Sequence, residues 1–467
     1  MHLGNNQMQP SPITKTTKAR SPKSRASATD LAIVSRSVDT LKVNRENCRI
    51  HSAKQIRQIA HSIESFGFNL PLLVDAQLRV IAGHGRLEAA KRLGISHLPT
   101  ICLEHLTDFQ ITAFAIADNR LTENGAWDER MLAEQLKALS AVELDFSLDA
   151  TGFEIGEIDV LIDGLAPANE GDCDSANEIP TSGVSVQVSE SGNLWLLGRN
   201  RIYCGNALQA DSFSKLLDDR QADLVFIDPP YNIKIAGYAC GHGAIQHRDF
   251  GMASGEMTAA QFTDFLAQAF GLLATHSTEG SIHFVCIDWR HIPEIVEAAK
   301  PIYKETKNVC VWEKDNAGFG SLYRSQHELI FVFKKGEGSH QNNVQLGVFG
   351  RNRTNVWRYP AINSFARPTA EQNPLELHPT AKPVALVADA IMDCSGRGDI
   401  VLDSFIGSGT TLIAAERTGR ICYGVEIDPS YVDTTIRRWQ SFTGLSAVHA
   451  TSGRKFTEIE QELIHEK

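Results

Sequence analysis

Apolar residues recur at helical and at strand-like spacings along the chain, and the change of spacing outlines its elements. Over residues 53–66 they recur every three to four positions after Ser52, and Gly67 follows, which predicts a capped amphipathic helix. Short apolar runs around a polar turn predict strands within residues 70–74 and 78–82. Three further helices are predicted in this part of the chain, over residues 84–93, 108–118 and 128–139.

From about residue 191 onward the pattern differs, because short apolar runs alternate with helical periods as far as about Phe442. Strands that alternate with helices predict a parallel sheet covered by helices on both faces. We therefore expect the fold class to be α/β. It would comprise a Rossmann-like domain with a mostly parallel sheet flanked by helices, preceded by a small α+β domain.

Polar segments divide the 467 residues into five predicted parts. Residues 1–36 carry six basic residues and one acidic residue, so we expect a disordered basic arm, either a solvated tail or a weak DNA contact. Residues 151–190 hold nine acidic residues and no Lys or Arg and are assigned to an acidic linker. From about residue 164 to 190 we expect this linker to be flexible rather than to hide a folded element. The remaining parts are the α+β domain at 37–150, the α/β domain at 191–446 and a C-terminal tail at 447–467, a short helix or frayed end.

Composition narrows the class of protein further, with 42% hydrophobic and 22% charged residues and a net charge of -11. No apolar run reaches the roughly 20 residues of a membrane helix, and the N-terminus has no apolar signal core. Nine scattered cysteines without C-x-x-C spacing favour reduced thiols in the cytoplasm, with no zinc site and no disulfides. Removing the nine linker charges from -11 leaves -2, so the rest can still present a basic face to nucleic acid.

The strongest chemical signal is the quartet of Asp228, Pro229, Pro230 and Tyr231, which follows a predicted buried strand at 222–227. Open α/β sheets place their active sites just past the carboxyl ends of strands. A carboxylate and a carbonyl at this point could accept both hydrogens of an exocyclic amine and so localise its lone pair. The aromatic ring could stack on a base that has left the duplex. The alternative is a rigid turn with a buried tyrosine.

A second signal lies at residues 399–428, where a strand leads into a glycine-rich loop and a helix, followed by another strand. The loop lacks the lysine of a P-loop and the spacing of G-x-G-x-x-G. Glu426 ends the second strand, at the place where acidic residues hold ribose hydroxyls. Together these features favour a nucleoside cofactor.

With these motifs, the region from about residue 193 to 441 resembles the S-adenosylmethionine-dependent DNA amino-methyltransferases. The quartet is similar to the adenine-preferring form of the family's catalytic motif; cytosine-amine enzymes more often carry Ser in place of the Asp. Asn206 stands where the family usually has an Asp that contacts the cofactor's adenine. The resemblance implies S-adenosyl-L-methionine as cofactor, no catalytic metal, and cofactor contacts from Asn206, Thr380, Lys382, Asp403, Phe405, Gly407, Gly409, Thr410 and Glu426.

The catalytic motif precedes the cofactor loop, which resembles the permuted group called beta. In that group the target-recognition segment lies between the two motifs. Residues 344–370 occupy that place and hold four arginines and no acidic residue, so we expect DNA contacts rather than a solvated basic loop. The candidate DNA-binding residues are Arg351, Arg353, Arg358 and Arg367.

Residues from about 43 to 139 resemble the ParB/sulfiredoxin-type nucleotide-binding domain. Gly83, Gly85 and Arg86 carry the resemblance, since glycines before a helix and an arginine in its first turn suit a phosphate. The helix-turn-helix and dimer module of ParB proteins are not evident from the sequence.

The resemblances imply an adenine-specific DNA methyltransferase with an accessory ParB-like domain, in the cytoplasm on the nucleoid. Expected partners are double-stranded DNA, a nucleotide at the ParB-like domain and a second copy in a homodimer, with no membrane. Two alternatives stay open. One is methylation of cytosine amines, and the other is a nucleotide-dependent DNA-binding factor with a vestigial methyltransferase.

Overall fold

The computed structural model describes residues 31–44, 46–142, 144–165, 175–177, 186–233, 253, 255–317, 322–348, 350–361 and 382–465. The chain divides into two compact units, Met1–Gly125 and Ala126–Lys467. Each unit has its own sheet and its own buried core, and each is described by itself.

The first unit is a small α+β fold with a four-stranded sheet in the order β1-β4-β2-β3. Its central strands β2 and β4 run parallel, whereas β1 and β3 pair antiparallel at the edges. Its elements are β1 (Ile33–Ser37), α1 (Ala53–Phe66), β2 (Leu72–Val74), β3 (Val80–Ala82), α2 (His84–Arg92), β4 (His97–Cys102) and α3 (Asp108–Glu123).

Local signals set the helix ends in this unit. The Ser52 side chain accepts the Gln55 backbone N–H at 3.1 Å, and Gly67 follows α1 with φ +83°, as the sequence predicts. At the start of the unit, residues 33–36 belong to β1 rather than to the predicted disordered arm. Thr100 accounts for part of this difference, because its hydroxyl donates to the Val34 carbonyl across the β1–β4 pair.

The second unit is an α/β fold whose described strands form one ten-stranded sheet, in the order β11-β9-β10-β8-β7-β12-β13-β6-β5-β14. Its strands are β5 (Leu194–Leu197), β6 (Asn200–Cys204), β7 (Ala222–Ile227), β8 (Ser277–Ile287), β9 (Glu305–Glu313), β10 (His327–Lys334), β11 (Val356–Arg358), β12 (Ile400–Asp403), β13 (Ile421–Glu426) and β14 (Val448–His449). Its helices are α4 (Glu129–Ser140), α5 (Ile155–Asp163), α6 (Ala210–Leu217), α7 (Ala259–Thr275), α8 (Ile292–Ala299), α9 (Val384–Cys394), α10 (Thr410–Thr418), α11 (Pro429–Thr443) and α12 (Phe456–His465).

Helices cover both faces of this sheet, as the alternation of apolar runs and helical periods predicts. Along β7, Leu224 and Phe226 lie in the core on one face, whereas Val225 and Ile227 lie in the core on the other. The middle of the sheet, β8-β7-β12-β13-β6, is parallel. Antiparallel strands β10, β5 and β14 lie outside it, so the sheet is mixed rather than parallel throughout.

Helix α5 lies inside the segment 151–190, which the sequence analysis assigns to an acidic linker between the two domains. That assignment is wrong for residues 155–163. Asp159 is fully buried and forms ion pairs with Arg420 at 2.7 Å and Arg397 at 3.0 Å. An acidic residue that suggests solvation in sequence is therefore neutralised inside the fold.

The C-terminal residues also belong to the second unit. Helix α12 begins at Phe456, whose side chain is fully buried, so this end is the short helix of the two predicted forms. Among the helices that the structure describes, none is long and apolar enough to cross a lipid bilayer.

Candidate active site at the carboxyl edge of the large sheet

The parallel strands bring the predicted chemical residues to one edge of the sheet. Asp228 directly follows β7, Asp403 ends β12 and Glu426 ends β13. Because these strands are parallel neighbours, their carboxyl ends meet at the same edge. The two sequence signals, about 170 residues apart in the chain, therefore form one candidate site.

The quartet after β7 makes a tight hydrogen-bonded corner. The Tyr231 hydroxyl donates to Asp228 Oδ1 at 2.5 Å, and the Lys382 ammonium lies 2.5 Å from Asp228 Oδ2. Pro229 is buried and Pro230 is half-buried, so the turn is held on both sides of its backbone. The Asp228 side chain is 23% exposed, against 3% for Lys382, so the carboxylate is the part of the pair that faces outward.

Lys382 has protein partners that the resemblance does not imply. The resemblance gives it a contact with the amino-acid end of the cofactor, whereas in this structure it pairs with Asp228 and with Glu328 at 3.0 Å. Thr380, its predicted companion, lies outside the described residues.

Glu328 and Lys314 complete a buried charge cluster that sequence reasoning missed. Glu328 is the second residue of β10 and pairs with Lys314 at 2.5 Å, where the β9–β10 connection reaches the same sheet edge. The ammonium of Lys314 also lies over the Trp312 ring, 4.6 Å from its centroid. The sequence signal for this cluster was the pair of opposite charges at Lys314 and Glu328, which lie beside the apolar runs of β9 and β10. Its partners could not be assigned without the strand register.

Burial and charge act in opposite directions on the pKa values of this cluster. Burial raises the pKa of Asp228 above its ordinary value, although Lys382 opposes that change and Glu328 adds to it. Burial would also raise the pKa of Glu328, but Lys382 and Lys314 lower it to about 2. For the Lys382 ammonium, burial favours the neutral form, yet the two carboxylates raise its pKa above the ordinary value. The cluster thus contains an ionised Glu328 beside a carboxylate that binds a proton more readily.

The glycine-rich loop lies between β12 and α10 and is turned by two glycines with positive φ, +52° at Gly407 and +85° at Gly409. A Cβ on Gly409 would lie 2.6 Å from Thr435 Cγ2, so only glycine fits there without displacing α11. The Asp403 carboxylate accepts the Phe405 N–H at 2.9 Å, and burial raises its pKa to about 7. Phe405 is half-buried, with its ring 5.9 Å from that of Phe265.

Glu426 connects the end of β13 with the glycine-rich loop. Its carboxylate accepts the Gly407 N–H and the Asp428 N–H, both at 2.9 Å. Burial raises its pKa to about 7 although these two hydrogen bonds favour the ionised form. Asn206 follows β6, the strand beside β13. Its side chain accepts the Leu208 N–H at 2.8 Å, which orders the turn after β6. Thr410 is buried at the first turn of α10, and its hydroxyl lies 3.3 Å from Arg438.

The predicted DNA-contacting arginines fall in different environments. Arg351 and Arg353 are held by two aspartates on α9, so their guanidinium groups belong to the protein interior. The shortest of these contacts is 2.7 Å, from Arg351 to Asp393. For Arg353, burial would lower the pKa of the guanidinium, but the two carboxylates raise it above its ordinary value. Both guanidinium groups thus have carboxylate partners within the protein, and DNA contact by these two residues stays a prediction. Asp389 and Asp393 lie four residues apart on α9. The sequence shows both aspartates but does not show that they pair with these arginines.

For the other two arginines, DNA contact stays a prediction. Arg358 is 80% exposed and pairs with Glu313 at 2.9 Å on the neighbouring strand. Arg367 lies outside the described residues. No group of three or more His, Cys, Asp and Glu side chains in the described part of the chain is arranged to bind a metal ion.

In the first unit, the predicted phosphate site is a close turn before α2. Gly83 has φ +101° and precedes the helix, and a Cβ there would lie 2.6 Å from Leu72 Cδ2. A Cβ on Gly85 would lie 2.9 Å from Ile59 Cδ1, so this glycine also allows close packing of α1 and α2. The Arg86 guanidinium donates to the Leu70 carbonyl at 3.1 Å, and burial lowers its pKa.

Comparison with known protein families confirms the resemblance of the second unit to the DNA methyltransferases. Residues 222–437 match the family model described as "DNA methylase". Residues 23–120 match the "ParB N-terminal domain", and residues 130–187 match the "ParB-methyltransferase HTH domain". The chain therefore carries a DNA methylase domain, whose substrate is DNA, joined to ParB-type domains.

The helix-turn-helix match corrects the sequence analysis, which found no such element after the ParB-like domain. Two of its described helices, α4 and α5, pack together around Leu136, Ile158 and Ile162. The sequence analysis predicts the first helix of this pair, over residues 128–139. It does not predict α5, because acidic residues dominate the stretch that holds this helix.

Known DNA-modifying enzymes resemble the chain over its second half. The type II methyltransferase M2.MboI of Moraxella bovis is 28% identical over 256 residues, 52% of this chain and 88% of that relative. The type II methyltransferase M.HpaI of Haemophilus parainfluenzae is 24% identical over 286 residues, 57% of this chain and 83% of that relative. Among solved structures, the cytosine-N4-specific PvuII DNA methyltransferase is 15% identical with a TM-score of 0.40, covering 57% of this chain and 93% of that one.

Proposed function

We propose that the chain methylates the exocyclic N6 amine of adenine in double-stranded DNA, with S-adenosyl-L-methionine as the methyl donor. The observation that carries the proposal is the position of Asp228. Asp228 directly follows β7, and β7 is a neighbour of β12 in the sheet. The end of β12 leads into the glycine loop, and the next strand, β13, ends at Glu426, which accepts a hydrogen bond from that loop. An acceptor for an amine and a site for a nucleoside thus lie at adjacent strand ends.

The residues present fit S-adenosylmethionine by the chemistry of their donor and acceptor atoms. Each Glu426 oxygen already accepts one backbone N–H, and an ionised carboxylate has lone pairs left for a pair of ribose hydroxyls. The positive φ of Gly407 and Gly409 brings the loop backbone close to that carboxylate. Asp403, Phe405 and Asn206 border the same loop and turn, and they would hold the rest of the nucleoside.

When bound, the cofactor supplies a methyl group activated by a sulfonium. The protein's part is to make the amine a nucleophile. Asp228, as an ionised acceptor, takes a hydrogen bond from the amine, and the Pro229 carbonyl is the proposed acceptor for its second hydrogen. Asp228 is also the base closest to that amine, and its raised pKa suits it to take the proton that the methylated nitrogen loses.

We expect digestion of DNA treated with the protein and labelled S-adenosylmethionine to release N6-methyl-2′-deoxyadenosine, because the quartet begins with Asp. Mass spectrometry of the released nucleosides is the measurement. N4-methyl-2′-deoxycytidine instead would establish the same enzyme with the other base. No labelled nucleoside, together with nucleotide-dependent DNA binding, would favour the DNA-binding factor.

Cofactor binding should tighten as pH rises through about 7, because Glu426 has a pKa of about 7 and only its ionised form accepts without also donating. Glu426→Gln should weaken binding by about tenfold or more and remove most of this pH dependence. Calorimetric titration of both proteins with S-adenosylmethionine over that pH range measures both effects. An unchanged pH dependence in the variant would assign it to another group, such as Asp403, whose pKa is also about 7.

DNA and nucleotide contacts outside the active site remain part of the proposal. Arg358 at the end of β11 is exposed at the active edge and suits a phosphate or a guanine edge. Arg367 is proposed as a further DNA contact on the sequence pattern alone. Gly83, Gly85 and Arg86 precede or open α2, whose N-terminus favours an anion, and we propose a nucleotide phosphate there. A homodimer also remains a proposal, on the resemblance alone.

A further inference from the structure

Glu328 is a second carboxylate in the candidate active site, and the proposed chemistry does not use it. Its side chain is 12% exposed and contacts three groups of the cluster. Lys314 lies at 2.5 Å, Lys382 at 3.0 Å and the Tyr231 hydroxyl at 3.1 Å. The last two of these also contact Asp228, so Glu328 and Asp228 share both a cation and a hydroxyl.

The sharing of Lys382 matters because Asp228 must stay available. With a single carboxylate partner, a buried ammonium would form a closed pair with Asp228 and occupy the oxygen that an amine needs. Glu328 provides a second carboxylate partner for the ammonium, at 3.0 Å. Lys314 in turn balances Glu328, so the described cluster pairs two carboxylates with two ammonium groups.

We propose that Glu328 is a positioning residue for methyl transfer. It holds the Lys382 ammonium between two carboxylates and meets the Tyr231 hydroxyl, so that Asp228 is oriented without being locked in an ion pair. This inference rests on the proposed function of Asp228 as the acceptor for the amine.

The charges of the cluster agree with this role. Glu328 has a pKa of about 2, because the two lysines outweigh the effect of burial, so it stays ionised throughout the range in which the protein works. Its negative charge raises the pKa of Asp228, in addition to the larger effects of burial and Lys382. Removing that charge should therefore lower the pKa of Asp228.

Glu328→Gln should reduce the single-turnover rate of methyl transfer by about 100-fold, because Lys382 is left to Asp228 alone and misplaces it. The acid limb of the pH–rate profile should move to lower pH, because Asp228 loses a negative neighbour. Glu328→Asp keeps the charge and should restore the wild-type position of that limb. Glu305→Gln, which removes a half-exposed carboxylate from the surface of β9, is the matched control and should behave as wild type.

Tyr231→Phe gives an independent test in the opposite direction. The hydroxyl hydrogen bond lowers the pKa of Asp228, so its loss should move the acid limb to higher pH. If Glu328→Gln does not fold, as judged by circular dichroism, this variant decides. An acid limb that does not move in Tyr231→Phe would overturn the idea that the shared hydroxyl and cation control Asp228.

The outcomes separate the two proposals. A wild-type protein that transfers no methyl group to DNA contradicts the proposed function itself. An active wild type combined with a folded Glu328→Gln variant whose rate and acid limb are unchanged contradicts only the role of Glu328. A reduced rate with an unmoved acid limb shows a purely structural role and also overturns the inference.

Discussion

Replacement of Asp228 by alanine is expected to lower the rate of methyl transfer to DNA by about 10²- to 10⁴-fold, which is effectively a loss of activity. The variant lacks the carboxylate that accepts the amine hydrogen and takes its proton. Affinity for S-adenosylmethionine should change little, because the glycine loop and Glu426 lie on neighbouring strands and keep their mutual hydrogen bond. Lys382 retains Glu328 as a partner, so the ammonium is not left unpaired.

Two measurements on the same samples check this expectation, namely transfer of labelled methyl groups to DNA and calorimetric binding of the cofactor. Asp264→Ala, which removes an exposed carboxylate from α7, should leave both unchanged. Activity like that of the wild type in Asp228→Ala would refute the assignment of the catalytic motif. Loss of activity together with loss of cofactor binding would instead point to a collapsed site.

Asp159→Ala is expected to cost about 3–5 kcal/mol of unfolding free energy, which is the usual penalty for breaking a buried ion pair. Asp159 is fully buried and binds both nitrogens at the end of the Arg420 guanidinium, at 3.0 and 2.7 Å. Without it, Arg420 and the neighbouring Arg397 are two cations with little access to water. Backbone carbonyls of Ser395 and Thr418 still bind Arg420, but they carry no compensating charge.

Tryptophan fluorescence during denaturant unfolding isolates this effect, because all six tryptophans of the chain lie between residues 126 and 467, in the second unit. Asp211→Ala is the matched control, because it breaks the exposed Asp211–Lys215 pair on α6 and should leave the transition almost unmoved. If Asp159→Ala unfolds at the same denaturant concentration as this control, α5 is not anchored as the structure describes.

The anchored helix also gives a physical meaning to the helix-turn-helix match. The matched region, residues 130–187, includes α4 and α5, and α5 is fixed to the start of β13 through Asp159 and Arg420. At least this part of the region is therefore built into the same unit as the methylase sheet.

Local features were predictable because their causes lie within a few residues. Ser52 and Gly67 bound α1 as expected, and the apolar run at 222–227 is the strand that precedes Asp228. The carboxyl-edge placement of Asp228, Asp403 and Glu426 followed from one rule, that parallel strands which feed helices end on the same side. These parts of the fold and the candidate site needed only pattern and topology.

The partners of buried charges were not predictable from the sequence. Lys382 was expected at the cofactor but lies on Asp228, 154 positions away in the chain. Arg351 was expected on DNA but lies on Asp393, 42 positions away. In both cases the residue type showed the charge of the side chain. It did not show which oppositely charged residue the packing would bring close to that side chain.

By itself, the sequence determined the class of the second unit, the order of its motifs and the chemistry of its strand ends, because these depend on short-range patterns and on the common direction of neighbouring strands. Only the tertiary structure decided that Glu328 and Lys314 belong to the site and that Asp159 is buried. It also decided that two arginines pair with the aspartates of α9. Those outcomes depend on strand register and helix packing, where an ionic partner can lie 261 positions away along the chain yet within hydrogen-bonding distance.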